Sequence, residues 1–431
     1  METQPERKPG IGSGLLLGTG AMVGTGAFVA LGFGADVAGP WVLFGLCLAA
    51  LVACGTGVSR VALGSAEPSA VGAYDFGYKY LNAGLGFTAG WAGLVAMATA
   101  GAAAALGYSA YVMELLRRGE PGSAMTIAVG AIAGISLLVL SGFRRGNVVN
   151  IILTVGALAG LLLFVAMMVS RTAGGAAQNL ALVSVGKSSP AEAMLTAAAL
   201  LFPAFMGFSQ VSKSEGATSD SRGTRLAATL ISVGVALVLY VVVVAVAIAV
   251  VGYPTLAEQT EKTLSPLAAL SDRYNSRWVG QAVSAGGVLA MLGVLLNLIV
   301  GGARLAQAMG AREDLPGVLT KVDSGETPYV ATVLLGLAIG GLAVFLDLRT
   351  CWNFAAFSTL VCAAFTNLAA LKLDEKDRLA PKFVPGLALL ASVGLIVMLP
   401  LDVWATGVVI LLGGHVLRLL WVALRPAKQA A

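Results

Sequence analysis

Runs of about twenty apolar residues return along nearly the whole chain, and that recurrence limits the fold more than any single motif. A helix needs about twenty such residues to cross the ~30 Å hydrocarbon core of a bilayer. Strands of a membrane barrel would alternate apolar and polar residues, and these runs are continuous. Composition agrees: 58% of the 431 residues are hydrophobic and 11% are charged, against about 25% charged in a soluble domain. The chain is therefore read as an all-α integral membrane protein. Its polar gaps reach only about 15–25 residues, too few for a separate soluble domain.

Twelve spans are predicted, near 11–36, 40–63, 83–115, 123–142, 147–170, 191–212, 224–252, 278–310, 328–347, 351–372, 383–400 and 402–424. Residues 1–10 and 425–431 are left as polar tails. The first run is too long and glycine-rich for a signal-peptide core, so it is read as a retained span. With this count, nineteen of the 27 lysines and arginines fall on the side that holds both tails. Positive residues favour the cytoplasm, so both termini are expected inside, in a plasma (bacterial inner) membrane.

Two of the spans carry residues that weaken a helix. Gly18-Thr-Gly-Ala-Met-Val-Gly-Thr-Gly26 places four glycines in nine residues of the first run, each costing about 1 kcal/mol against alanine. Leu200-Leu-Phe-Pro-Ala-Phe-Met-Gly-Phe208 puts Pro203 and Gly207 in the sixth. Inside a bilayer no water satisfies a freed backbone group. Such stretches are either packed very closely or unwound around something that bonds to them. The two spans lie five apart and so cross in opposite directions. Paired breaks in two inverted halves are a sequence pointer to a transporter binding site. The halves would be residues 11–170 (spans one to five) and 191–372 (spans six to ten), with 383–424 (spans eleven and twelve) outside the repeat. The segment Gly252–Gly280 is either an outer lid or a loop.

Chemistry other than transport finds little support. The four cysteines are dispersed, His415 is the single histidine, and no metal-ligand cluster appears. His-Glu-x-x-His, Gly-x-Ser-x-Gly and phosphate-binding glycine loops are absent. An enzyme is not expected, nor are a cofactor, a bound metal or a nucleic-acid partner. His415 is read as a hydrogen-bonded structural histidine. Thr19, Tyr108, Tyr111, Gln210, Asn297, Gln307, Ser358 and Asn367 lie in or near spans, where polar side chains serve mostly as interhelical contacts worth about 0.6–2 kcal/mol.

Five motifs in order carry a family resemblance. Gly18 to Val29 resembles the first-span signature of amino acid permeases of the amino acid–polyamine–organocation superfamily. Pro68-Ser-Ala-Val-Gly-Ala-Tyr74, with Gly90-Trp91, is similar to that family's passage into span three. Phe202-Pro-Ala-Phe-Met-Gly-Phe208 is similar to its sixth span, Gly301 to Met309 with Asp314-Leu-Pro316 to its eighth-span exit, and Phe354 to Leu360 to its tenth span. The resemblance runs from about residue 11 to 372. It implies a five-plus-five inverted repeat of the leucine-transporter type, with helices one and six discontinuous. It implies secondary transport of amino acids or related amines. In that family the first break offers amides to the substrate carboxylate, here Val23, Gly24, Thr25 and Gly26. The sixth span offers carbonyls to the amine, here Phe202, Ala204 and Phe205, with Phe208 nearby. Helix N-termini favour an anion and freed carbonyls a cation.

Departures from the pattern narrow the expectation. Pro203 stands where many relatives carry a gating aromatic, and Ser209 where some carry an acid, which disfavours a dibasic substrate. Gly156 stands where proton-coupled relatives have a buried lysine. Asn297-Leu298 replaces the hydroxyl pair of sodium-coupled relatives. Thr19, Ser209 and Asn297 are further candidates for pocket or coupling roles. The expected function is a permease for neutral amino acids, working by alternating access with proton symport or exchange. The alternatives are a transport-inactive sensor or binding subunit, and a passive channel for small solutes. The expected partners are the small-molecule substrate and the bilayer.

Overall fold

The computed structural model describes residues 18–116, 123–142, 147–171, 176–181, 189–213, 222–273, 277–323 and 325–424. The two predicted tails lie outside these. Among the described residues there are helices and no strands.

The first helix covers residues 18–22, bends at Val23 and Gly24, and resumes through a π-helical turn, Gly26–Ala30, into α1 (Leu31–Ala38). Gly39 then takes φ +53°, a conformation that strains any residue with a Cβ. Pro40 opens the following turn into α2 (Val42–Ala66). After α2 come the short α3 (Ala73–Tyr80), α4 (Ala83–Leu116), α5 (Ser123–Leu140), α6 (Asn147–Val169) and the single turn α7 (Ala176–Asn179). Ser189 caps α8 (Pro190–Leu201) by accepting the Glu192 N–H at 3.2 Å, a favoured N-cap arrangement with proline in the first turn. A 3-10 segment, Phe202–Lys213, continues α8. Then follow α9 (Arg222–Val251), α10 (Tyr253–Thr263), α11 (Pro266–Arg273), α12 (Arg277–Ala311), α13 (Tyr329–Phe345), α14 (Leu348–Ala370), α15 (Phe383–Met398) and α16 (Leu401–Ala423).

These helices fall on the predicted apolar runs. Among the described residues, nine helical stretches are long and apolar enough to cross a membrane, the first of them, Gly26–Ala66, running through Gly39. α13 and α15 are shorter, with 17 and 16 residues. At 1.5 Å per residue they reach about 24–26 Å. Two regions go beyond the expectation from sequence. Gly252–Gly280, open there between lid and loop, contains two helices, α10 and α11. α3 is not among the predicted elements; it buries Tyr74 and Phe76 while Lys79 stays in solvent.

The interior is organised by α4, which packs along both α12 and α14, and by α12 against α6. Small residues make this possible. A Cβ placed on Gly160 of α6 would lie 3.0 Å from the Gly286 Cα of α12, and one on Gly107 of α4 would lie 2.8 Å from Met291 Sδ. Such glycines let membrane helices approach closely where no hydrophobic driving force separates helix from lipid. α15 and α16 lie at the periphery and expose large apolar side chains, Leu390 at 70% and Val409 at 66%. In a membrane protein such faces meet lipid, and the chain is a multi-pass membrane protein.

Candidate functional site

The two interrupted helices meet each other. In the first, Val23 N–H still donates to the Thr19 carbonyl at 2.9 Å, and the ladder restarts with Phe28 N–H on the Gly24 carbonyl at 3.1 Å. Among the described residues, the amides of Gly24, Thr25, Gly26 and Ala27 have no backbone acceptor across this gap. They are the four unpaired donors that open any helix, and they carry the positive end of its dipole. The Thr25 side chain is 2% exposed, and its hydroxyl has no hydrogen-bond partner.

The second interruption follows from Pro203. In 3-10 geometry a carbonyl bonds the N–H three residues on. The residue three beyond Leu200 is Pro203, which has no N–H. The Leu200 carbonyl is instead bonded by the Trp352 indole Nε1–H of α14 at 2.8 Å. α14 thereby holds the start of the break in place.

Glycine brings the two breaks together. A Cβ on Gly26 would lie 2.5 Å from Ala204 Cβ and 3.0 Å from its Cα. One on Gly207 would lie 2.5 Å from both Ala21 C and Met22 N, so backbone faces backbone there. One on Gly24 would overlap Val294 Cγ2 of α12. Val23, Phe202, Ala204 and Phe205 are all buried. Of the predicted site residues, Val23, Gly24, Thr25, Gly26, Ala204 and Phe205 belong to this one region, and Phe202 heads the 3-10 segment beside it. The side chains of Phe208 and Ser209 lie outside the described ones. Thr19 is buried on the N-terminal side of the first break, and Asn297 is half-buried one turn from Val294 on α12.

One residue outside the predicted site joins the breaks, and a second holds the first of them. Tyr240 of α9 is fully buried, and its hydroxyl donates to the Met22 carbonyl at 2.7 Å and to the Ala204 carbonyl at 3.0 Å. Its ring meets Phe205 edge-on with centroids 5.2 Å apart. Tyr111 of α4 donates to the Phe28 carbonyl at 2.9 Å, inside the π-helical turn. The sequence carries a signal for Tyr240: between Val233 and Val251 it is the one residue able to donate from its side chain. Met22 contributes only its backbone, and residue type gives no clue to that. At Gly156 a Cβ would meet the end of the Leu289 side chain of α12, and the α6 side chain against Gly20 is Thr154.

Charged clusters close both ends. On the predicted outer side, Arg349 at the head of α14 pairs with Asp36 of α1 at 2.8 Å and Glu261 of α10 at 3.1 Å, above the Phe33 ring. α10 also lays Thr260 against Gly32. On the predicted inner side, Asp314 is 3% exposed. It accepts from Tyr74 at 2.7 Å and Tyr78 at 2.5 Å, and pairs with Arg418 of α16 at 2.7 Å. Burial, and then the bond to Asp314, push the Tyr78 phenol up to about 12 and the Tyr74 phenol higher still. Both remain protonated donors at neutral pH. His415 bonds Thr88 at 2.8 Å, and Asn367 bonds Thr56 at 3.0 Å, both as contacts between helices.

Comparison with known proteins fits this arrangement. An uncharacterized transporter of Mycobacterium tuberculosis is 30% identical over 383 residues, 89% of this chain and 84% of its own length. A branched-chain amino acid permease of Bacillus subtilis is 28% identical, over 85% of this chain and 83% of its own. The fold is shared with the crystal structure of an Eremococcus coleocola manganese transporter, TM-score 0.62 at 15% identity, over 98% of this chain and 96% of that one. The amino acid permease family model matches residues 14–378. Two interrupted helices joined at their breaks, relatives named as transporters and a family match across most of the sequence lead to one conclusion: this chain belongs to the amino acid permease family.

Proposed function

We propose that the protein is a secondary active transporter of amino acids, with neutral side chains preferred, that works by alternating access with proton symport or exchange. One observation carries this reading. A buried helix N-terminus with four open amides and an unpartnered Thr25 hydroxyl is in van der Waals contact with a second interrupted helix, whose Ala204 carbonyl lies with that of Met22 at the Tyr240 hydroxyl. Amides suit a carboxylate and carbonyls suit an ammonium. An amino acid presents those two groups a few ångströms apart. The architecture fits twelve spans in two inverted halves of five, the interruptions in the first and sixth, with α15 and α16 outside.

The side chains around the breaks support the neutral preference. Val23, Thr25, Ala204, Phe205, Tyr240 and Val294 include no acid to meet a second positive charge. With glycine at position 156, proton coupling would need a group other than a fifth-span lysine. The outer cluster at Arg349 and the inner one at Asp314 are both closed here, as in a state between the two open forms. Transport would break one while the other holds. The breaks themselves are in van der Waals contact, so a substrate must part Gly24 from Val294 and Gly26 from Ala204 by a small movement.

Uptake of a radiolabelled amino-acid panel into proteoliposomes, with pH and sodium gradients imposed separately, tests the reading. Saturable uptake of at least one neutral amino acid is expected. Binding without flux would favour a sensor, and unsaturable conductance a channel. No uptake, exchange or binding across the panel and common amines would reject the substrate class.

A further inference from the structure

The Tyr240 hydroxyl has one proton and is within bonding distance of two carbonyls, Met22 at 2.7 Å and Ala204 at 3.0 Å. Met22 ends the first half-helix, and its usual helical donor, the Gly26 amide, lies beyond the bend. Ala204 lies in the second break. The phenol therefore makes, from the side, the same pair of contacts that an ammonium would make on entering between the breaks. Gly26 stands beside this pair: the position of a Cβ there lies 3.8 Å from the Tyr240 oxygen, an ordinary van der Waals contact. The ring is held on Phe205 and is fully buried, so no water competes for the proton.

We propose that Tyr240 is an internal stand-in for the substrate's amine, and that it sets affinity and selectivity by having to be displaced. This rests on the amino-acid reading above. The chemistry gives the direction of exchange. A phenol brings one neutral donor, whereas an ammonium brings three donors and a charge. Charge-assisted hydrogen bonds are roughly twice as strong as neutral ones. An amine therefore takes both carbonyls from Tyr240. A ligand without an amine, or one whose amine is capped, does not. Between substrates the phenol keeps the carbonyls satisfied and the two breaks joined, so the empty transporter does not expose unpaired groups inside the bilayer. The cost is a fixed penalty on every substrate, one that only a well-placed ammonium overcomes.

The sign of the effect separates this role from simple bracing. In Tyr240→Phe the competitor is gone and the ring remains. The apparent affinity for the transported amino acid should rise about threefold to tenfold, the worth of one modest neutral hydrogen bond. The melting temperature without amino acid should fall, and the rise on adding amino acid should exceed that of the wild type. Affinity for the desamino analogue should be unchanged. Should the phenylalanine variant fail to accumulate, 3-fluorotyrosine at position 240 keeps the shape and strengthens the donor, and it should weaken amino-acid binding. An unchanged or lower affinity in Tyr240→Phe, or tighter binding with 3-fluorotyrosine, would overturn the proposal while leaving amino-acid transport intact. A wild-type protein whose melting temperature and uptake respond to no amino acid would overturn the transport reading, and this proposal with it.

Discussion

Replacing Gly26 by alanine tests how closely the two breaks must meet. The added methyl would lie 2.5 Å from Ala204 Cβ and 3.0 Å from Ala204 Cα. Carbon atoms prefer about 3.5–4.0 Å, so the segments must part by about 1.0–1.5 Å. That movement also takes the Met22 and Ala204 carbonyls out of common reach of the Tyr240 hydroxyl, now at 2.7 and 3.0 Å. Overpacking costs about 1–3 kcal/mol and a lost buried hydrogen bond about 1 kcal/mol. Alanine's better helix propensity returns up to about 1 kcal/mol. The balance is a loss of about 1–3 kcal/mol of stability, read as a lower melting temperature. The assay is uptake in proteoliposomes at matched protein density, beside thermal unfolding in detergent. Adding Ala204→Gly removes the nearer clash but leaves the new methyl pressed on the backbone at position 204, so the double variant should recover only part of the loss. Full uptake and an unchanged melting temperature in Gly26→Ala would refute the argument, because the breaks would then not be in contact when the protein works.

Other perturbations give results of known direction. Gly24→Leu should abolish amino-acid binding while the protein still inserts and accumulates, because even a Cβ at this position overlaps Val294 Cγ2; retained uptake would remove Gly24 from the site. Trp352→Phe should lower stability by about 1–3 kcal/mol by leaving the Leu200 carbonyl without a donor, and adding Pro203→Ala, which restores an N–H, should cost less than the two single losses combined in a double-mutant cycle. Asp314→Asn strands Arg418, and because that arginine is 23% exposed, a loss of about 2–4 kcal/mol is expected rather than the full cost of a buried pair; a melting temperature within about 1 °C of the wild type would show that the inner cluster bears no load. The Tyr78–Asp314 bond should contribute fully below the free phenol's pKa of about 10 and fade as pH rises toward about 12, so a Tyr78→Phe stability difference that varies between pH 6 and 9 would contradict it.

The spans were legible in the sequence because lipid demands apolar length, and length survives any uncertainty about packing. The first break was legible for a related reason. Four glycines between Gly18 and Gly26 are too many for an ordinary span, and the bend falls at Val23 and Gly24 within them. Pro203 likewise marked the second. What residue type could not announce was the role of backbone groups. The Met22 and Leu200 carbonyls become acceptors only because of where the chain bends, and their donors, Tyr240 and Trp352, lie 218 and 152 residues away. Tyr240 could have been singled out, as a lone phenol in a valine-rich span has to find an acceptor. α3 escaped notice because it is only eight residues long and buries only two side chains, Tyr74 and Phe76, too short a stretch to stand out between two long apolar runs. The clusters at Arg349 and Asp314 are long-range pairings between ends of helices, which a single sequence leaves open.

The central claim is that the amides at Gly24 to Ala27 and the carbonyls of Met22 and Ala204 read the two charged ends of one amino acid. The most direct measurement is competition against uptake of whichever amino acid the protein transports, using that amino acid's amide and its desamino analogue. Each derivative keeps the side chain and lacks one charge. Each should compete about tenfold to a hundredfold more weakly than the parent, the loss of a charge-assisted hydrogen-bonded contact. Competition by either derivative within a fewfold of the parent would contradict the account.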